Sequence, residues 1–170
     1  IPGPGLLAHV LTSKYADHLP LNRLEGIFQR NGIDISRKTT CDWVGKSAAL
    51  LEPLVAAQSR ELLGSKKIHS DDTVVPVLEK DRKTTKQGRL WVYGNESHIV
   101  YDYTPNRSRE GPKEFLKGYR GYLQADAYAG YNELLGKEKA TLVGCWAHAR
   151  RKFVESKDSD PLRAHTALAF

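Results

Sequence analysis

Methionine is absent from these 170 residues, so they hold no ordinary translation start, and the expectation is an internal piece of a longer protein. Cysteine is scarce: Cys41 and Cys145 are too few and too far apart for a disulfide framework or a closed zinc site, which suits a reducing cytoplasm. Long apolar runs are missing. No stretch approaches the roughly 18 to 20 residues of a membrane span, and the first residues lack the charged-then-apolar order of a secretory signal. Neither a membrane nor an export role is expected. There is no internal repeat and no low-complexity tract. Negative charge is in deficit, with 20 Asp+Glu against 26 Lys+Arg and a formal charge of +6. A pI near 9.3 favours a polyanionic partner through counterion release. At 40% hydrophobic residues the chain has the means to bury a core.

The spacing of apolar residues divides the chain at about residue 63. Residues 5 to 63 read as helical: Leu21, Leu24, Ile27 and Phe28 share one face, Gly32 stops that helix, and Ser36 caps a short second helix from Arg37 through Val44. Pro53 is placed to begin a third at its first position. The pair over Leu21–Val44 resembles a helix-turn-helix, whose second helix would offer Arg37, Lys38 and Thr39 to a DNA groove, although helix pairs that only pack together are commoner.

From residue 64 onward the signals are those of strands at 67–78, 89–94 and 98–104, then a helix over 109–118, a strand at 121–126, another at 140–145 and a helix from about Trp146. Three strands in hairpin succession followed by alternating helix and strand give an α/β fold with a ribonuclease H-like mixed sheet flanked by helices. Two aspartate sites stand out within it, Asp71-Asp72 in the first strand and Asp126 at the end of the fourth. Asp has poor strand propensity and is rarely buried unless paired or bound to metal. Carboxylates on two strands of a basic protein suggest a shared divalent cation and phosphoryl transfer on nucleic acid; the bland reading is a solvated strand end or a structural salt bridge. Alternation says only that one of Asp71 and Asp72 faces such a site.

The segments His69-Ser70-Asp71-Asp72-Thr73, Gly88-Arg89-Leu90-Trp91-Val92-Tyr93, Leu123-Gln124-Ala125-Asp126-Ala127-Tyr128-Ala129-Gly130-Tyr131 and Cys145-Trp146-Ala147-His148-Ala149-Arg150-Arg151-Lys152-Phe153 resemble the central region of bacterial transposases of the insertion sequence 66 family. Lys14-Tyr15-Ala16-Asp17-His18-Leu19-Pro20-Leu21 and Gly32-Ile33-Asp34-Ile35-Ser36 are similar to the part that precedes the catalytic domain there. The resemblance implies an Asp-Asp-Glu transposase, with Asp71 and Asp126 as its first two catalytic acids and metal ligands. It also implies Mg2+ or Mn2+, two ions in the complete site, cleavage and strand transfer at insertion-sequence ends, and double-stranded DNA, both transposon ends and target, as partner. A homo-oligomer on DNA and a cytoplasmic, nucleoid-associated location follow from the same likeness. The third acid belongs on a helix further along than these residues reach; Glu155 follows Arg150-Arg151-Lys152 too closely to match it. The expected organisation is a helical segment over 1–63 and a catalytic domain over 64–170 that stops before the third acid.

Two rivals remain open at this point: a catalytically silent DNA-binding or assembly module derived from a transposase, and a structure-specific nuclease of the same fold. Arg150, Arg151 and Lys152 are candidate phosphate contacts or a solvated helix face. Lys83 and Lys86, with Lys80, Arg82 and Arg89, crowd the loop between the first two strands, where they would grip DNA or keep a turn soluble. Cys145 and His148 have the spacing of two metal ligands but lack a second pair, so a buried strand-end thiol is the simpler reading.

Overall fold

A computed structural model describes residues 2–79, 84–134 and 139–169. The chain divides into two compact units, Ile1–Ala56 and Ala57–Phe170.

The first unit is helical. Helices α1 (Pro4–Tyr15), α2 (Leu21–Arg30) and the start of α3 (Arg37–Leu63) enclose a small core of Val10, Leu21, Leu24 and Phe28, with Leu6, Ile35, Trp43 and Val44 against it. As the sequence suggests, Gly32 takes a left-handed φ of 73° after α2, a conformation open to glycine at little cost. Ser36 caps α3 by accepting the Thr39 N–H at 3.1 Å, and Glu25 of α2 accepts the Arg37 N–H at 2.7 Å. The expectation of a short second helix and a third beginning at Pro53 is corrected here: α3 is one helix of 27 residues with Pro53 inside it. Residues 48–56 are exposed, so the carbonyl that loses its amide partner one turn before Pro53 reaches water, and Ala48, Ala49, Ala56 and Ala57 are strong helix formers. Residues 31–36 connect α2 to α3, a longer link than the three- or four-residue turn of a helix-turn-helix.

The second unit carries a five-stranded sheet in the order β3-β2-β1-β4-β5. Strands β1 (Lys67–Val77), β2 (Lys86–Gly94) and β3 (Ile99–Thr104) form antiparallel hairpins, whereas β4 (Tyr122–Ala125) and β5 (Thr141–Gly144) run parallel to β1. This is the ribonuclease H-like arrangement that the order of elements predicts. Helix α4 (Glu110–Phe115) makes the crossover from β3 to β4 and ends before Gly118, at φ 78°. Side chains on one sheet face, Ile68, Trp91, Tyr93, Val100, Leu123 and Ala125, meet Leu116, Tyr119 and Tyr131 with Leu62 from the last turn of α3. Tyr93 stacks on Phe115 with ring centroids 3.9 Å apart, and Trp91 Nε1 donates to Thr104 Oγ1 at 2.8 Å. A 3-10 helix (Ala129–Leu134) and the helix α6 (Pro161–Leu168) after α5 (Trp146–Glu155) have no counterpart in the sequence expectation.

Candidate active site

The strand register brings the two predicted acids level. In the parallel pair of β1 and β4, His69 stands opposite Gln124; two residues further on are Asp71, still within β1, and Asp126, just past the end of β4. Because β4 ends at Ala125 while β1 runs on to Val77, a cleft of about 780 Å³ opens at the carboxyl ends of β4 and β5. Asp71, Asp72 and Asp126 line it, as do Arg107, Tyr128, His148, Arg151, Lys152 and Glu155. Ligand sites of open α/β sheets lie in this kind of crevice beyond the strand ends.

Alternation along β1 gives its neighbouring acids different surroundings. The Asp72 side chain is 2% exposed and its oxygens are engaged by two arginines: Arg89 Nη1 donates to Oδ2 at 2.8 Å, while Arg107 donates to Oδ1 from Nε at 3.0 Å and from Nη2 at 2.8 Å. Asp71 is 53% exposed, accepts the Asp72 N–H, and has His148 Nε2 3.8 Å from its Oδ2. Asp72 is thus a structural anion that needs its charge neutralised, and Asp71 keeps its carboxylate available to the cleft.

Asp126 is held from both sides. Tyr128 N–H donates to its Oδ1 at 3.0 Å and Arg107 Nη2 to its Oδ2 at 3.2 Å. Tyr128 in turn donates its hydroxyl to the Arg107 carbonyl at 2.6 Å and lies under the guanidinium, 4.3 Å from carbon to ring centroid. Hydrogen bonding to Asp72, with Asp126 nearby, raises the Arg107 pKa above the ordinary arginine value, so it is a permanent cation here. On the core side of β1, Ser70 shares a 2.8 Å hydrogen bond with Tyr131, whose hydroxyl burial pushes well above the usual tyrosine range.

The other predicted site residues are dispersed. Helix α5 turns His148, Arg151, Lys152 and Glu155 to the cleft at helical spacing and leaves Arg150 outside its lining. Lys152 is tied to Glu155 at 2.9 Å. Lys86 begins β2 and pairs with Glu79 at 3.0 Å; Lys83 lies outside the described residues. Arg37, Lys38 and Thr39 open α3 in the first unit, where Thr39 Oγ1 bonds Ser36 Oγ at 2.9 Å. Sequence reasoning missed Arg107. It lies in the loop between β3 and α4, where no periodicity or motif sets it apart from the chain's other basic residues.

The whole chain, residues 1–170, matches the model of the Transposase IS66 family. The chain belongs to that family. Relatives include the uncharacterized protein y4hP of Sinorhizobium fredii (strain NBRC 101917 / NGR234), 37% identical over 169 residues that cover 92% of this chain and 30% of the relative. The uncharacterized protein y4qI of the same organism is 31% identical over 182 residues, covering 98% of this chain and 34% of its own length. The chain therefore spans about a third of the length of the curated relatives it matches. Most of the cleft is built from three of the stretches that carry the resemblance, around Asp71, Asp126 and His148; Arg107, Leu142, Gly144 and Glu155 line it from outside them.

The donor chemistry of the cleft fits a hard divalent cation. Asp71 within β1 and Asp126 just past the end of β4 supply carboxylate oxygens to the cleft, and magnesium sites commonly take one or two carboxylates and complete their shell with water and substrate phosphate. Among the described residues no group of three or more His, Cys, Asp or Glu converges on one point, so Asp71 and Asp126 are the ligands to consider. No described helix is long and apolar enough to cross a membrane.

Proposed function

We propose that this chain forms the body of the catalytic site of a metal-dependent DNA transposase, with Asp71 and Asp126 holding Mg2+ or Mn2+. The observation that supports the reading is that Asp71 of β1 and Asp126, just past the end of the neighbouring β4, line one cleft, next to a neighbour, Asp72, whose charge is already consumed by Arg89 and Arg107. A pair of such ions, when bound, supplies the Lewis acidity that activates a water or a 3′-hydroxyl and stabilises the leaving oxygen. Exchanging the one nucleophile for the other turns strand cleavage into strand transfer on the same residues.

The chain's own groups do the rest. Asp71 and Asp126 fix the reaction centre, and the Tyr128 N–H orients the Asp126 carboxylate. On the cleft wall, Arg151 and Lys152 of α5 offer positive charge to a DNA backbone. Duplex DNA, at transposon ends and at the target, is the partner, bound by an oligomer of the longer protein. That no group of three or more His, Cys, Asp or Glu able to hold a metal is found among the described residues favours, as a second reading, a silent DNA-holding module.

The test is divalent-dependent nicking of supercoiled plasmid by the longer protein that contains this segment. Nicking is expected to fall by at least about a thousandfold in Asp71→Asn and in Asp126→Asn, because each removes a carboxylate that would hold the metal. Nicking that survives both substitutions would overturn the assignment, and a wild-type protein that binds DNA without nicking it would favour the silent module.

A further inference from the structure

Arg107 has more hydrogen-bonding capacity than its acidic neighbours use. A guanidinium carries five N–H donors in a fixed fork. Nε and Nη2 are spent on Asp72 and Asp126, while Nη1 has no hydrogen-bond partner among the described residues. The group is firmly mounted all the same. Its anchor, Asp72, is 2% exposed, its plane is supported by the Tyr128 ring 4.3 Å away, and its own carbonyl accepts the Tyr128 hydroxyl. The side chain is nonetheless 37% exposed and lines the cleft. A mounted cation with spare donors, beside a group that binds metal, is an anion site in waiting.

The local charge balance points the same way. Asp72 and Asp126 are matched by Arg89 and Arg107. Once Asp126 is engaged by a divalent cation, Asp72 remains between two guanidiniums, and the cluster has an excess of positive charge that only an anion can offset. Of the contacts made by Arg107, the one to Asp126 is the longest at 3.2 Å, and it is the contact a cation at Asp126 would replace. The two bonds to Asp72 Oδ1 stay in place and keep the fork where it is.

We infer that Arg107 binds a non-bridging oxygen of the DNA phosphate brought to Asp71 and Asp126, and that until metal arrives it occupies the Asp126 carboxylate as a resident counter-ion. This rests on the reading of Asp126 as a metal ligand. The role predicts two effects of opposite sign, which a residue that merely braces the fold cannot give. Removing the charge frees Asp126 for cations and at the same time removes a phosphate contact.

The experiment compares wild type, Arg107→Gln, Arg107→Lys and Asp126→Asn by Mn2+ calorimetry and by binding of a short mixed-sequence duplex across a salt series, with circular dichroism melts alongside. Arg107→Gln is expected to bind Mn2+ about fivefold more tightly and to lower the slope of log affinity against log salt by about one in magnitude. Arg107→Lys, which keeps the charge but not the fork, is expected to retain the wild-type slope. An unchanged slope in Arg107→Gln would overturn the inference, as would joint loss of Mn2+ affinity, DNA affinity and melting temperature in both Arg107 variants, the signature of a brace. The premise has its own readout: Mn2+ binding unaltered in Asp126→Asn would sink the metal reading whatever the DNA slope shows.

Discussion

Asp71 and Asp72 are chemically identical neighbours, and the structure assigns them opposite consequences when either is changed to asparagine. Asp72 is 2% exposed and accepts three charge-assisted hydrogen bonds, one from Arg89 and two from Arg107. Asparagine presents one acceptor oxygen, so it can satisfy one arginine and must turn its amide group toward the other. Breaking a buried ion pair by removing one partner costs about 3 to 5 kcal/mol. Both guanidiniums keep some contact with water, at 23% and 37% exposure, and that screening brings the expected loss down to about 2 kcal/mol. Asp71, at 53% exposure with His148 Nε2 3.8 Å from its Oδ2, should change stability by no more than about 0.5 kcal/mol. Urea unfolding followed by tryptophan emission measures both, since Trp91 lies in the core beside Asp72 in the β1–β2 register. Asp72→Asn is expected to shift the transition clearly to lower urea and Asp71→Asn to leave it in place. Equal shifts, or a larger one for Asp71, would refute the division into a structural and a free acid.

Three further outcomes follow from single residues or from the charge of the chain. Burial raises the pKa of Asp102 on β3 despite an opposing hydrogen bond from Tyr103; a carboxyl raised in the folded state weakens the fold above that pKa and is relieved as pH falls toward the unfolded value. Asp102→Asn should therefore melt higher than wild type at pH 7, and the gap should close as the pH enters the carboxylate range. The Tyr93 hydroxyl is buried with no hydrogen-bond partner among the described residues, and burial moves its pKa far above the usual value. Tyr93→Phe should stabilise the protein by about 1 kcal/mol in urea unfolding, and a loss of stability would mean the hydroxyl has a partner after all. With a formal charge of +6, binding to a duplex should weaken steeply with salt, on the order of a hundredfold or more between 50 and 200 mM; a flat profile would remove the case for phosphate contacts.

The first three strands of the second unit were legible because they carry β-branched and aromatic residues between turn signals; β1 begins and ends within a residue of its expected bounds, and β3 likewise. The helical reading of the first sixty residues succeeded in kind and failed at Pro53, where local propensity marks a start and the exposed helix tolerates the missing hydrogen bond. The 3-10 helix after Asp126 is too short for any periodicity to announce. At the site, sequence pattern located the acids because aspartate in a strand is anomalous. It had no means of separating Asp71 from Asp72, since which of two adjacent carboxylates meets Arg89 and Arg107 depends on the pleat of β1 and on a loop residue far along the chain. Arg107 was invisible for the same reason: its importance comes from Tyr128 and Asp72, which the fold brings to it. The three adjacent basic residues of α5 divide by helical geometry, with Arg151 and Lys152 on the cleft and Arg150 off it.

The proposal that carries most weight is that Asp71 in β1 and Asp126 just past β4 bind one divalent centre. Calorimetric titration with Mn2+ of wild type, Asp71→Asn, Asp126→Asn and the double variant tests it most directly, with circular dichroism to verify each fold. The account predicts that either single substitution weakens binding by at least about tenfold and that the double variant loses little more than the worse single, because the two carboxylates act on the same ion. Affinity unchanged in either single variant, or losses that simply add, would contradict it.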